Sequence, residues 1–200
     1  MMVPKKKIKD IAELILGHTF RVSPRGVNKS GDLFSLVQVR DISTNGELLL
    51  NQLETISHKF SKSIDLLERG DLIFCPREHK LVAALVGDEI HNTVISAPLI
   101  LIRVHCQQTV KPEYLQLILN SNLIQRKLTQ LLVGTSILTL QKSDLEEIEL
   151  PIPPIDKQDL LARIYNYSKQ ERKLRDSLYE LKNMEREAIV NQSLESLLVA

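Results

Sequence analysis

Residues 134–158 read GTSILTLQKSDLEEIELPIPPIDKQ, and the chain changes character across them. Ser143-Asp144-Leu145-Glu146 is a capping-box pattern and starts a short helix. Ile148–Ile152 then returns to an extended form, imposed partly by Pro151, Pro153 and Pro154, because the residue before a proline is pushed out of the helical region. Upstream lie short apolar runs separated by turns. Downstream, from Asp156 to Val190, there is no glycine and no proline. The stretch therefore reads as the exit from a domain, residues 1–154, into a long helix, residues 155–200.

In that helix Leu160, Ile164, Tyr167, Leu174, Leu178, Leu181 and Ala188 fall mostly at alternating steps of four and three, with Glu171 and Glu185 interrupting the seam. Such spacing makes one apolar stripe on an amphipathic helix of about 50 Å at 1.5 Å per residue. A stripe of this length needs another helix, in a second copy or in a partner protein. The alternative is packing on its own domain, whose surface is short for the whole length.

Working back toward the start, Pro112 suits a first helical turn, and apolar residues from Tyr114 to Leu132 recur at helical spacing until Gly134. Apolar runs at Leu33–Ile42, Leu72–Cys75, Leu81–Val86, Thr93–Ile95 and Leu99–Val104 are short and bounded by turn residues, with Asn45-Gly46 a hairpin-type turn signal. Five such strands predict one compact, curved, mixed or antiparallel sheet. Ile8–Leu16 reads as a short helix stopped by Gly17, and His18–Asp32 as a loop rich in turn residues. The fold class expected is mixed α/β with flanking helices and one long C-terminal helix.

Bulk composition narrows the function. The chain has 200 residues, 43% hydrophobic and 26% charged, values of a folded protein with ordinary surface. Its formal charge is +1, and the split is even: residues 155–200 carry eight basic and eight acidic groups, residues 1–154 eighteen and seventeen. A freestanding nucleic-acid binder usually shows a strong basic excess, so any such contact must rest on local arrangement or on a partner. Two cysteines, Cys75 and Cys106, without short spacing argue against a disulfide framework or a thiolate zinc site, and both are expected in apolar strand surroundings. No apolar run is long enough to cross a membrane and no secretory signal is read at the start, so the cytoplasm is the expected location.

Motifs for chemistry are missing. His18, His58, His79, His91 and His105 have no metal-ligand spacing on one helix. There is no glycine-rich phosphate loop and no GxSxG nucleophile turn. Glu146-Glu147 belongs to a capped helix start and reads as solvated surface. No catalytic residue, metal ligand or cofactor site is expected.

Three stretches in order carry a resemblance: KKIKDIAELILGHTFR at residues 6–21, RGDLIF at 69–74, and residues 134–158 followed at once by the long helix. Together they resemble the target-recognition domain and spacer helix of type I restriction–modification specificity (S) subunits. The resemblance implies a small α/β target-recognition domain joined to a coiled-coil helix. It implies a non-catalytic subunit that reads a half-site on double-stranded DNA. Paired helices would act as a ruler and hold methyltransferase (M) subunits, with a motor-nuclease restriction (R) subunit joining in restriction complexes. S-adenosylmethionine, ATP and Mg would belong to those partner subunits. The usual S subunit carries two recognition domains and two spacer helices, whereas this sequence has one of each, which implies a homodimer reading a two-fold symmetric, interrupted site. A second departure lies at Phe74–Lys80, FCPREHK, where Arg77 is followed by Glu78 rather than glycine.

Within that reading, polar loop residues beside strand ends are the DNA-contact candidates. They are Arg21, Arg25 and Lys29 in the first loop, Arg40, Ser43, Thr44 and Asn45 at the first hairpin, and Arg77, His79 and Lys80 after the central strand. Thr135, Ser136, Gln141 and Lys142 complete the set around GTS, where the two hydroxyls either contact DNA or satisfy a backbone turn. Arg77 leads them, because an arginine fork reads guanine with two hydrogen bonds. Gln158 is expected to orient the start of the helix. Leu160, Ile164, Tyr167, Leu174, Leu178 and Leu181 are assigned to self-pairing or to a methyltransferase subunit. Two rivals stand beside this: a protein–protein adaptor with a coiled-coil tail, and a small DNA-modifying enzyme.

Overall fold

A computed structural model describes residues 3–20, 32–58, 66–134 and 138–198, with side chains to residue 195. The chain divides into two compact units, Met1–Ala162 and Arg163–Ala200.

The first unit is mixed α/β. Its central sheet has four antiparallel strands in the order β2 (Ala12–Leu16), β8 (Ile100–Val104), β5 (Leu72–Arg77), β6 (Lys80–Leu85). A three-stranded sheet runs β4 (Glu54–His58), β3 (Asp32–Val37), β7 (Thr93–Ile95), with β3 and β7 parallel. A two-stranded ribbon pairs β1 (Lys5–Lys7) with β9 (Glu149–Pro151). So the single sheet expected from the apolar runs is, among the described residues, three sheets.

Both faces of the central sheet are covered, which is why β5 reads as a continuous apolar run. Successive side chains alternate faces. Leu72 and Phe74 join the core built with α1 (Pro112–Leu119), α2 (Asn122–Gln130) and α3 (Lys142–Glu146), through residues such as Leu115, Ile124 and Leu145. Ile73 and Cys75 face a second core with Val37, Ile95 and Leu101.

Several local expectations fail for identifiable reasons. Ile8–Leu16 is not a helix: a single 3-10 turn at Ile8–Asp10 is followed by strand β2, with Ala12 and Leu14 buried and Glu13 exposed. Six apolar residues in nine fit either period, and pairing with β8 decides. Gly17 is therefore no helix stop. Its backbone lies so close to the next segment that a Cβ would meet the Ser96 carbonyl oxygen at 2.5 Å. The run from Pro112 to Leu132 is two helices, because the Asn120 side chain pairs with the backbone N–H and C=O of Ala83 (2.8 Å each) and Ser121 caps α2. α3 begins at Lys142 with Gln141 before it, so Ser143 sits inside the first turn instead of capping it. The strand expected to reach Ile42 ends at Val37, where a 3-10 turn at Val39–Asp41 begins; the buried Asp41 carboxylate accepts the Gln38 N–H at 2.8 Å. The Asn45-Gly46 turn forms, with Gly46 at φ +70, but it joins only the bridge Ile42–Leu48. Cys75 is buried on β5 as expected, whereas Cys106 is exposed after β8.

The exit segment is pinned on all sides. Tyr114 donates its hydroxyl to the Pro151 carbonyl at 2.7 Å, and Ile152 N–H reaches Pro4 O at 2.8 Å. The long helix α4 covers Ile155–Leu198. Gln158, fully buried in its first turn, accepts the Lys111 N–H at 2.9 Å and donates to Thr109 O (3.0 Å) and Pro153 O (2.8 Å). A buried amide with three bonds to two backbone segments fixes where the helix starts.

Candidate nucleic-acid interface

Three segments meet at the turn of the β5–β6 hairpin. Arg77 pairs with Lys80 across the hairpin, leaving Glu78 and His79 as its exposed tip. The Lys80 ammonium donates to Val39 O (3.0 Å) and Ile42 O (2.5 Å), tying the tip to the 39–46 segment. On the other side Arg77 bridges Thr139, Thr139 bridges Val133, and Glu78 N–H reaches Leu138 O at 3.1 Å. Residues 138–140 thereby run alongside the end of β5.

The turn at 43–46 is held by its own backbone and by the helix layer. Ser43 N–H donates to Glu47 O (2.8 Å), and Ser43 Oγ accepts the Glu47 N–H (3.0 Å). The buried Gln116 amide donates to Gly46 O (3.0 Å) and Ala83 O (3.3 Å). Thr44 and Asn45 are left exposed at the turn. Gln116 and Asp41 were not singled out from sequence; a lone glutamine inside the apolar face of α1 was the available signal.

Charge within the cluster is partly committed. Arg40 pairs with Glu54 at 2.9 Å, and Lys142 with Glu146 at 3.3 Å. Lys80 spends its ammonium on carbonyls, so its role here is to hold the tip. Arg77 differs: its Nε is buried and has no hydrogen-bond partner, a state shared among the described residues only by Asp41 Oδ1. A buried donor without an acceptor costs about 1–3 kcal/mol. Gln141 is exposed beside the same loop.

Arg21, Arg25, Lys29, Thr135 and Ser136 lie outside the described residues. The ends of the first loop are described: Phe20 packs edge-on against His58 at 5.6 Å, and Asp32 pairs with His58. Those ends sit at the Asp32 end of β3, whereas the Val39 turn follows the Val37 end, about 17 Å along the strand. The rule that put both loops in one set, polar residues beside strand ends, does not distinguish the two ends of a strand.

On α4 the side chains of Leu160, Ile164, Tyr167, Leu174, Leu178 and Leu181 are all more than half exposed, from 52% to 72%. Met184, Ile189, Val190 and Leu194 are exposed as well and extend the apolar surface beyond the seam read from sequence. Among the described residues no group of three His, Cys, Asp or Glu side chains is placed to hold a metal ion, and no helix is long and apolar enough to cross a membrane.

The mixed α/β unit thus presents a hairpin turn with exposed polar residues, and the long helix after it carries exposed apolar side chains. The family model described as type I restriction modification DNA specificity domain matches residues 3–173, and the chain belongs to that family. Solved structures share the fold. The HsdS subunit from Thermoanaerobacter tengcongensis is similar with a TM-score of 0.63 and 22% identity, over 86% of this chain and 43% of that one. A chain from a study of complex assembly and conformational transition of the type I R-M system gives 0.66 and 20%, over 88% and 45%. The type I restriction-modification S subunit from M. genitalium gives 0.60 and 15%, over 90% and 45%. The chain thus spans a little under half the length of each. No curated protein matches.

Proposed function

We propose that this chain is a non-catalytic DNA specificity subunit that reads a half-site on double-stranded DNA and places a methyltransferase subunit beside it. The observation that carries the reading is the convergence of residues 39–42 and 138–139 on the hairpin turn from Arg77 to Lys80, in a chain of the specificity-domain family. Guanine O6 and N7 offer two acceptors in the plane of an arginine fork, and Thr44, Asn45, His79 and Gln141 are further candidates for base-edge or phosphate contacts. Arg21, Arg25, Lys29, Thr135 and Ser136 remain contact candidates on the same reading. The exposed stripe of α4 pairs with the same helix of a second copy, giving a homodimer with coiled-coil packing and a two-fold symmetric, interrupted target. The chain needs no cofactor of its own; S-adenosylmethionine, ATP and Mg belong to the methyltransferase and restriction subunits. The cytoplasm, where the DNA is, is its place of action.

The test is the salt dependence of binding to duplex DNA, by fluorescence anisotropy on the purified chain with and without its methyltransferase subunit. A binding constant that falls steeply as salt rises supports DNA contact through phosphates. Absence of duplex binding in both samples, with retained binding to the partner protein, would establish the adaptor reading in its place.

A further inference from the structure

Resting on the DNA-reading function proposed above, we infer that the outer face of α2 is a second DNA contact, one that grips the phosphate backbone and carries no sequence information. Between Glu113 and Asp144 the chain has no acidic residue, while it carries Arg126, Lys127 and Lys142. α2 lies inside this acid-free run. It buries Ile124 and Leu128 in the main core. At 100° per residue Leu123, Arg126, Lys127 and Gln130 form one face beside the buried side, the i, i+3, i+4, i+7 set. All four are exposed. Among the described residues neither Arg126 nor Lys127 has an ion-pair partner, in contrast to Arg40 and Lys142. In a nearly neutral protein, two neighbouring cations with no carboxylate on their own helix form a local positive surface suited to a polyanion.

The position of the face matches this use. Helix α2 ends one turn before Val133, which bridges Thr139, which bridges Arg77. Two bridged steps and three residues of chain place the near end of α2 within about 20 Å of Arg77, or about six base pairs of duplex. A protein seated on a half-site through the hairpin end has phosphates at that reach on either side. Leu123 on the same face is a single exposed leucine, common on protein surfaces.

The double variant Arg126→Gln, Lys127→Gln in the full chain tests the assignment, read as the slope of log binding constant against log salt on two unrelated mixed-sequence duplexes. Loss of two phosphate contacts lowers the magnitude of the slope by about 1.8 and weakens binding about equally on both duplexes, on the order of 10- to 100-fold at about 0.1 M salt. The thermal midpoint stays that of the unaltered chain, because both side chains are exposed and unpaired. If the unaltered chain binds with a steep slope and the variant matches it, the α2 assignment is wrong and the Arg77 site is untouched. A variant that keeps its slope but no longer co-elutes with the methyltransferase subunit overturns the assignment in favour of a protein-binding face. If the unaltered chain binds no duplex at all, the DNA-reading function fails together with this extension of it.

Discussion

Arg77 and Thr139 face each other across an antiparallel bridge, so the end of the central strand and the loop after α2 share one backbone ladder. On that strand end the Arg77 Nε is buried and has no hydrogen-bond partner among the described residues.

Replacing Arg77 with alanine is expected to weaken specific DNA binding by about 1–3 kcal/mol and to relax preference at one base position. The unfolding midpoint should not fall, since the change removes an unsatisfied buried donor. Competition binding against duplexes altered at single positions reads both effects. Unchanged affinity together with unchanged preference would remove Arg77 from the interface.

Gln158 has a structural task of comparable definition. Gln158→Ala leaves the Lys111 N–H and the carbonyls of Thr109 and Pro153 short of a partner. The expected loss is about 2–4 kcal/mol of stability in urea unfolding. A variant as stable as the parent would mean that water replaces the amide without cost.

Charged residues in place of Leu174 and Leu178 are expected to give a monomer, because a coiled-coil seam does not tolerate charge at two successive core positions. Light scattering measures this directly. A dimer mass that survives the double substitution would exclude this part of α4 as the self-pairing surface.

The anchor of the first strand carries a pH signature. Glu147 bonds Lys7 at 2.6 Å and also Lys9, and these hydrogen bonds pull its pKa from 4.5 to about 2. A depressed carboxylate pKa stabilises the fold above the unfolded value of 4.5, and that stabilisation disappears as pH falls through about 2. The midpoint difference between the parent and Glu147→Gln should therefore be present at neutral pH and close between these two values. A difference independent of pH would show that the ion pairs contribute nothing to it.

How far the sequence disclosed all this follows from what each signal measures. The apolar runs at 72, 81, 93 and 99 are legible as strands because they are short, nearly continuous and bounded by turn residues. The PIPPI segment and the glycine-free helix after it are legible because proline and glycine act locally. Ile8–Leu16 was misread because its apolar pattern satisfies two periods and only pairing with β8 chooses between them. The break at Asn120 was invisible, since it depends on Ala83, far away in sequence. The candidate site was legible as a set of loops, and Arg77 within it. Lys80 as a clamp on Val39 and Ile42, and the outer face of α2, required knowing which loops meet.

The most direct measurement of the central claim is selection from a random duplex library by the chain together with its methyltransferase subunit, at a salt concentration that suppresses non-specific binding. The account expects one bipartite, two-fold symmetric motif to be enriched, with a single position per half-site losing its preference when Arg77 is alanine. Recovery of a library no different from the input would contradict it.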